Sequence, residues 1–219
     1  MPARSAATPE RVHHPIFARF YQRLSASEEK AGAGEHRREL LAGLSGRVVE
    51  VGAGNGLNFK HYPETVNEVI AVEPEPYLRE RARGAAESVG VNVTVVEGVA
   101  GGLPVEDASV DAGVASLVLC SVPNQGAALA ELRRVIKPGG ELRFYEHVVA
   151  TKPGLARFQR LLDRTIWPYV GGGCHASRDT RAAIEAAGFE IESDRRFKFQ
   201  PSPVVFLVSP HILGVARRP

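Results

Sequence analysis

This sequence has few of the features that mark specialised classes of protein. Its 219 residues include only two cysteines, Cys120 and Cys174, which form neither a disulfide framework nor a metal-binding spacing, so no metal site is expected. Lysine plus arginine (27) nearly balances aspartate plus glutamate (25), which argues against nucleic acid as the main partner. No apolar run approaches the ~20 residues of a transmembrane helix, and no secretory leader is visible. We therefore expect a cytoplasmic protein with one sizeable core.

The most informative stretch is a β-branched run that ends in three glycines at alternate positions. Residues 48–51 predict a buried strand, and the glycines of 52–56 predict a tight turn where backbone approaches a ligand closely. The spacing is G-x-G-x-G, whereas dinucleotide-binding turns have G-x-G-x-x-G, and Glu50 precedes the first glycine. A ligand with an amine or another cationic centre fits this turn better than a pyrophosphate does. The pattern therefore disfavours a nicotinamide oxidoreductase.

A second acid follows at the distance expected for a ribose ligand. Residues 68–73 predict another buried strand that ends in Glu73, and Pro74 stops it. Glu73 lies 19 residues after Gly54, close to the ~20 typical of a carboxylate that accepts hydrogen bonds from ribose hydroxyls. The two acids together favour a nucleoside ligand with a positively charged group, such as S-adenosylmethionine.

The remaining periodicity alternates helices and strands, as in a doubly wound α/β fold. We expect a seven-stranded, mostly parallel sheet whose last two strands form a C-terminal antiparallel hairpin. The single domain, 1–219, is divided into an N-terminal helical lid (1–45), a cofactor-binding core (46–150), and a substrate-side helix insertion with the terminal hairpin (151–219). Helices are predicted at 16–24, 35–44, 58–62, 75–88, 125–136, 154–169 and 180–187, and further strands at 91–96, 109–119, 141–148, 189–199 and 204–216.

These motifs resemble those of class I S-adenosylmethionine-dependent methyltransferases. The resemblance rests on residues 50–56, on Glu73, on Asp111 with the strand around it, and on residues 132–140. It implies a Rossmann-like fold, with S-adenosyl-L-methionine as methyl donor and S-adenosyl-L-homocysteine as product. Many relatives have an acid at position 99, where this chain has a valine. The cofactor-binding residues that it implies are Glu50, Gly52, Gly54 and Asn58 at the methionine part, Glu73 at the ribose, and Gly98, Val99 and Ala100 at the adenine. Further cofactor-binding candidates are Ala53 and Pro74 in the two turns, and Ser116 and Leu117 at the carboxyl edge of the predicted sheet.

A narrower resemblance covers most of the chain. Residues 58–63, 117–122, 146–148, 173–175 with 180–181, and 210–214 are similar to the alkyl-thiol S-methyltransferases of animals and their bacterial relatives. This implies methylation of a small thiol. The animal forms carry an N-terminal membrane anchor that this sequence does not show, so we expect a soluble protein. O- or N-methylation of a small metabolite, a non-catalytic S-adenosylmethionine-binding protein and a nicotinamide oxidoreductase remain alternatives, and the oligomeric state is left open.

Thiol methylation would benefit from a group that promotes loss of the thiol proton. A free thiol has a pKa of ~8.5, and its thiolate is the nucleophile. His147 at a strand end and His175 in a glycine-rich loop are the catalytic candidates, because histidine suits proton transfer near neutral pH. The N-terminal helix is expected to lie over the substrate, with Tyr21 or His14 facing it. The candidate substrate-binding residues are Tyr21, Tyr62, Cys120 and Trp167.

Overall fold

A seven-stranded sheet organises the protein, which is described by a computed structural model of residues 15–201 and 203–219. The strands are β1 (Gly46–Val51), β2 (Val66–Val72), β3 (Val93–Val96), β4 (Val110–Ser116), β5 (Ile136–His147), β6 (Glu190–Lys198) and β7 (Pro210–Arg217). They lie in the order β3-β2-β1-β4-β5-β7-β6. The first five are parallel, and β7 is antiparallel to both of its neighbours. The predicted fold, with its C-terminal antiparallel pair, is confirmed.

Helices cover both faces of this sheet. They are α1 (Pro15–Glu28), α2 (Gly34–Leu41), α3 (Pro76–Ala86), α4 (Gln125–Val135), α5 (Pro153–Asp163), α6 (Trp167–Val170) and α7 (Thr180–Ala186). A π-helical turn, Glu29–Ala33, joins α1 to α2, and 3-10 turns occupy Phe59–His61 and Pro203–Val208. Within the described parts of the chain, no helix combines the length and the apolar character that a membrane crossing requires.

The strand β1 is buried on both faces, as its unbroken apolar run predicts. Val49 and Val51 belong to the core that includes Leu132 of α4. Val48, on the opposite face, belongs to the core that includes Leu40 of α2. Glu50 shares the face of Val48 because side chains alternate along a strand. The sheet order reverses between β1 and β4, and open α/β sheets bind ligands at the carboxyl ends of strands beside such a switch point.

Two elements of the C-terminal third differ from the prediction. The helix expected at 154–169 divides into α5 and α6, and the Asp163 carboxylate at the break accepts the N–H groups of Ala176 and Ser177, both at 2.8 Å. The strand expected at 204–216 begins only at Pro210. The apolar residues before it form a 3-10 turn, where the Gln159 side chain donates to the Leu207 carbonyl at 2.7 Å. Tertiary contacts therefore override local periodicity at both places.

Two further elements, both near the predicted site, have boundaries that differ from the prediction. The strand expected at 109–119 ends at Ser116, because Leu117 has a φ of 58° and cannot continue it. The helix expected at 58–62 is a single 3-10 turn, Phe59–His61. His14, one of the two residues expected to face the substrate, lies outside the described residues.

Candidate active site

The glycine turn after β1 presents bare backbone at the sheet edge. Gly52 and Gly54 have φ values of 66° and 57°, a conformation that other residues rarely adopt. A Cβ atom at Gly52 would overlap the side chain of Val118, so this position needs glycine for space as well. The N–H groups of Gly52 and Ala53 donate to the Val72 carbonyl at 2.8 and 3.2 Å, which fixes the turn against the end of β2.

Glu73 closes the other side of this turn. Its carboxylate accepts the N–H groups of Gly54 at 2.8 Å and Glu75 at 2.9 Å. Burial raises the pKa of Glu73, and these backbone hydrogen bonds act against that effect. The Arg79 guanidinium supports the corner by donating to the carbonyls of Glu73 and Pro74, both at 2.9 Å. Each carboxylate oxygen has more than one acceptor site, so the group can also accept hydrogen bonds from a ligand hydroxyl.

Glu50 is a buried carboxylate directly behind the glycine turn. It accepts hydrogen bonds from the Asn58 amide at 2.9 Å and from the Tyr62 hydroxyl at 2.8 Å. Burial raises the pKa of Glu50 to about 7, although these two hydrogen bonds act in the opposite direction. Tyr62, predicted to bind substrate, thus has its hydroxyl on Glu50, where it orients the carboxylate.

Arg37 is a site residue that the sequence reasoning missed. This arginine of α2 is only 5% exposed. Its Nη1 donates to Asn58 Oδ1 at 2.9 Å and to Ser116 Oγ at 3.2 Å, and its Nε donates to Glu29 at 3.3 Å. A signal was present in the sequence, because Arg37 lies at i−3 from Leu40 and so occupies the apolar face of its helix. A charged residue there needs buried polar partners.

The loop after β3 approaches the turn from the far side of β2. A Cβ atom at Gly98 would lie 2.8 Å from the Val72 side chain and 2.9 Å from Pro104, so the loop packs closely on the end of β2. The Val99 carbonyl accepts the Gly102 N–H at 3.0 Å, which closes a tight turn around Ala100. The residues expected at the adenine therefore lie on a short, constrained loop beside the Glu73 corner.

The helix α1 lies across the glycine turn. A Cβ atom at Gly54 would lie 3.4 Å from the Tyr21 ring, and one at Gly172 would overlap the Phe17 ring. The Tyr77 hydroxyl of α3 donates to the Gln22 side chain at 2.5 Å. Burial raises the pKa of Tyr21 to about 12. Tyr21, predicted to contact substrate, is thus placed directly over the predicted donor turn.

The segment after β4 is held by a buried carboxylate at the end of β5. Glu146 is fully buried and accepts the backbone N–H groups of all three residues 118–120, at 2.9–3.0 Å. From another side, the Arg178 guanidinium donates to the carbonyls of Leu119 at 2.5 Å and Val122 at 2.7 Å. This segment, which carries Cys120, is therefore clamped by side chains on two distant parts of the chain.

His147 lies at the carboxyl end of β5, in a small cleft beneath α1. Its Nδ1 atom lies 3.5 Å from Cys120 Sγ and 3.6 Å from Cys174 Sγ. The His211 ring packs edge-on against it, with centroids 4.7 Å apart. Residues that line the cleft include Glu28, Leu117, Tyr145, His147, Val208 and His211. The cleft therefore brings the His147 imidazole next to Leu117, the residue that follows β4.

The other predicted residues divide between this cleft and a second pocket. Cys120 and Cys174 are buried in one cluster, and the Trp167 ring packs against it. His175 instead lines a pocket with Arg178 on the far side of the Cys174 segment, and burial lowers the pKa of His175. The structure thus brings Cys120, Trp167 and His147 together and places the His175 side chain in the other pocket.

The arrangement is that of a class I methyltransferase. The family model described as "Methyltransferase domain" matches residues 49–144. Two solved structures share the fold: a SAM-dependent methyltransferase of Thermotoga maritima (TM-score 0.67, 23% identity, 93% of this chain and 98% of that chain) and geranyl diphosphate methyltransferase in complex with SAM (TM-score 0.67, 16% identity, 86% and 85%).

Sequence comparison identifies the family more narrowly. The chain is 38% identical over 207 residues to thiol S-methyltransferase TMT1B of Mus musculus, covering 92% of this chain and 82% of the relative. It is 37% identical over 193 residues to thiol S-methyltransferase TMT1A of Homo sapiens, covering 82% and 77%. The chain belongs to the same methyltransferase family as these proteins.

Proposed function

We propose that this protein transfers the methyl group of S-adenosylmethionine to a small-molecule thiol. The observation that carries the proposal is the position of the His147 cleft beside an acidic glycine turn, at one edge of the sheet. Membership in the family of TMT1A and TMT1B supports a thiol as the acceptor.

The donor would bind along the carboxyl ends of β1, β2 and β3. Glu50 and Asn58 lie behind the glycine turn, where a negative charge favours the ammonium and sulfonium of the donor. The Glu73 carboxylate would accept from the ribose hydroxyls. Residues 98–100 would flank the adenine, with a backbone group or a water molecule in place of the acid that position 99 lacks. Ala53, Pro74, Ser116 and Leu117 complete the proposed surface.

The reaction would be an in-line displacement. The acceptor sulfur attacks the methyl carbon as the sulfonium–methyl bond breaks, and S-adenosylhomocysteine leaves. Because the sulfonium is already an activated leaving group, catalysis comes largely from positioning and from exclusion of water. The N-terminal segment 1–45 would act as the lid, since Tyr21 of α1 packs over Gly54. Segment 151–219 would supply the acceptor wall, because Val208 and His211 line the cleft.

Of the two histidine candidates, we assign the catalytic role to His147. It lines the cleft together with Leu117, which continues from β4 next to the donor turn. His175 lies in the separate pocket with Arg178. His147 is therefore the imidazole that an acceptor in the cleft would contact.

The test is release of S-adenosylhomocysteine with matched acceptors: an alkyl thiol, hydrogen sulfide, and the corresponding alcohol and amine. We expect release with the sulfur acceptors alone. Glu73→Gln should weaken cofactor binding at least about tenfold through the lost charge on the ribose side. Glu68→Gln is the matched control, because this acid of β2 forms a partly exposed pair with Arg47. Release with the alcohol or amine and not with either sulfur acceptor would exclude thiol methylation.

A further inference from the structure

Three potential metal ligands converge where the cleft ends. Cys120 follows β4, His147 ends β5, and Cys174 lies in the loop after α6. The ligand atoms of the three residues all lie within 4.8 Å of one another. The His147 Nδ1 atom is 3.5 Å from one sulfur and 3.6 Å from the other. Three separate segments therefore bring two sulfur atoms and one imidazole nitrogen to one point.

These distances match a tetrahedral metal site. With Zn–S of ~2.3 Å and Zn–N of ~2.0–2.1 Å, a tetrahedral angle separates sulfur from nitrogen by about 3.6 Å. Hydrogen bonding to an unprotonated Nδ1 atom explains only one of the two distances. A neutral imidazole Nδ1 has one lone pair, so it can accept a hydrogen bond from only one of the two thiols. A cation between the three atoms would account for both sulfur–nitrogen distances.

We propose that Cys120, His147 and Cys174 bind a thiophilic divalent cation of the zinc class, whose fourth position takes the sulfur of the acceptor. Thiolate and imidazole ligands select such a cation over magnesium or calcium. Three protein ligands with one open position are typical of catalytic zinc sites, whereas structural sites use four.

The surroundings hold the ligands in place before any ion binds. The Glu146 carboxylate and the Arg178 guanidinium clamp the segment that carries Cys120. The His175 N–H donates to the Cys120 carbonyl at 2.8 Å, which ties the Cys174 loop to the same segment. Such supporting contacts are what orient metal ligands in proteins. The site therefore does not depend on flexible surface side chains.

We assign the cation a role in thiol methylation, and that role rests on the proposed function. His147 and Val208 line the cleft, and Val208 also packs in the cluster of the two cysteines, so the cleft adjoins the cation site. A thiol that binds there releases its proton to solvent and is held as a thiolate. Its sulfur then forms the new bond to the methyl carbon as the sulfonium–methyl bond breaks. The thioether product is a weaker ligand and leaves.

The first experiment measures metal content in the purified full chain. After loading with Zn²⁺ and dialysis, the wild type should retain about one ion per chain. Cys120→Ser and Cys174→Ser should bind Zn²⁺ at least about tenfold more weakly, while circular dichroism and S-adenosylmethionine binding confirm that each variant is folded. His61→Gln is the control outside the cluster, since His61 pairs with Glu29, and it should retain Zn²⁺ as the wild type does. A wild type that retains no more Zn²⁺ than Cys174→Ser, as would follow if the cysteines formed a disulfide, overturns the site.

A second experiment separates the metal role from the methyltransferase function. Co²⁺ in the site should give a thiolate charge-transfer band that grows when an alkyl thiol is added. Metal-free protein should still bind S-adenosylmethionine but lose thiol methylation, and Zn²⁺ should restore it. Full thiol methylation by verified metal-free protein would overturn the metal role and leave the proposed function standing. A Co²⁺ band that does not respond to thiol, in protein that methylates no thiol, would overturn both the metal role and the proposed function.

Discussion

Binding and stability place opposite demands on Glu50. In the proposed function, an ionised Glu50 behind the glycine turn would favour the ammonium and sulfonium of the donor. Burial disfavours that ionised form and raises the pKa of Glu50 to about 7 from an ordinary 4.5. The folded protein thus binds the Glu50 proton more tightly than the unfolded chain does. The contribution of Glu50 to the stability of the folded protein is full below pH 4.5, falls as the pH rises towards 7, and stays lower above that.

The stability of Glu50→Gln relative to the wild type should therefore be greater at pH 8 than at pH 5. The gain is at most about 3 kcal/mol, because each pKa unit corresponds to ~1.4 kcal/mol. Urea unfolding at the two pH values measures it, and calorimetric titration should show weaker S-adenosylmethionine binding by the same variant. A variant whose stability relative to the wild type is the same at both pH values would show that burial does not destabilise this carboxylate.

Alanine substitution should change the stability in opposite directions at a glycine of the turn and at a glycine of α3. Gly52→Ala should destabilise the protein by about 2 kcal/mol or more, because the position has a positive φ and no room for a Cβ beside Val118. Gly84→Ala, in the interior of α3 with open space around it, should stabilise by up to ~1 kcal/mol. Thermal unfolding and cofactor titration measure both. Equal effects at the two positions would contradict the strained geometry of the turn.

Among the elements, the segment after β4 depends on a side chain from β5. Glu146→Ala leaves three buried N–H groups of residues 118–120 without their acceptor and should destabilise by about 3 kcal/mol or more. Glu192→Ala, which removes the exposed pair with Arg217, should change stability by less than ~1 kcal/mol. Urea denaturation compares the two variants. Similar small losses would mean that the segment keeps its conformation without Glu146.

How far the sequence predicts an element depends on what fixes that element. The runs that became β1 and β2 are buried on both faces, so local pattern and tertiary environment agree, and their positions follow from sequence. The apolar residues at 203–208 have the pattern of a strand, yet a hydrogen bond from Gln159 holds them in a 3-10 turn. The break after α5 likewise depends on Asp163 and the distant Ser177. Contacts between residues far apart in the chain are not visible in local periodicity.

At the scale of the whole molecule, the same limit applies to the candidate site. The glycine turn and Glu73 follow one another at a regular interval, so the sequence alone indicated that edge. The cluster of Cys120, His147 and Cys174 comes from segments 27 residues apart, because β4 and β5 are neighbours in the sheet and the Cys174 loop folds back over them. No spacing rule for metal ligands covers such intervals. Only the assembled sheet reveals that cluster.

Arg37 joins distant parts of the fold into one site and so supports the last prediction. It links Glu29, which directly follows α1, to Asn58 beside the glycine turn and Ser116 at the end of β4. Arg37→Gln should destabilise by about 3 kcal/mol, because removing one partner leaves buried polar groups unpaired, and should weaken cofactor binding as the lid loosens. Arg38→Gln, which alters only an exposed pair with Glu35, should have little effect. Hydrogen exchange should then show faster opening of α1 in Arg37→Gln alone. Unchanged exchange in α1 would mean that the lid is held by Phe17 and Tyr21 without Arg37.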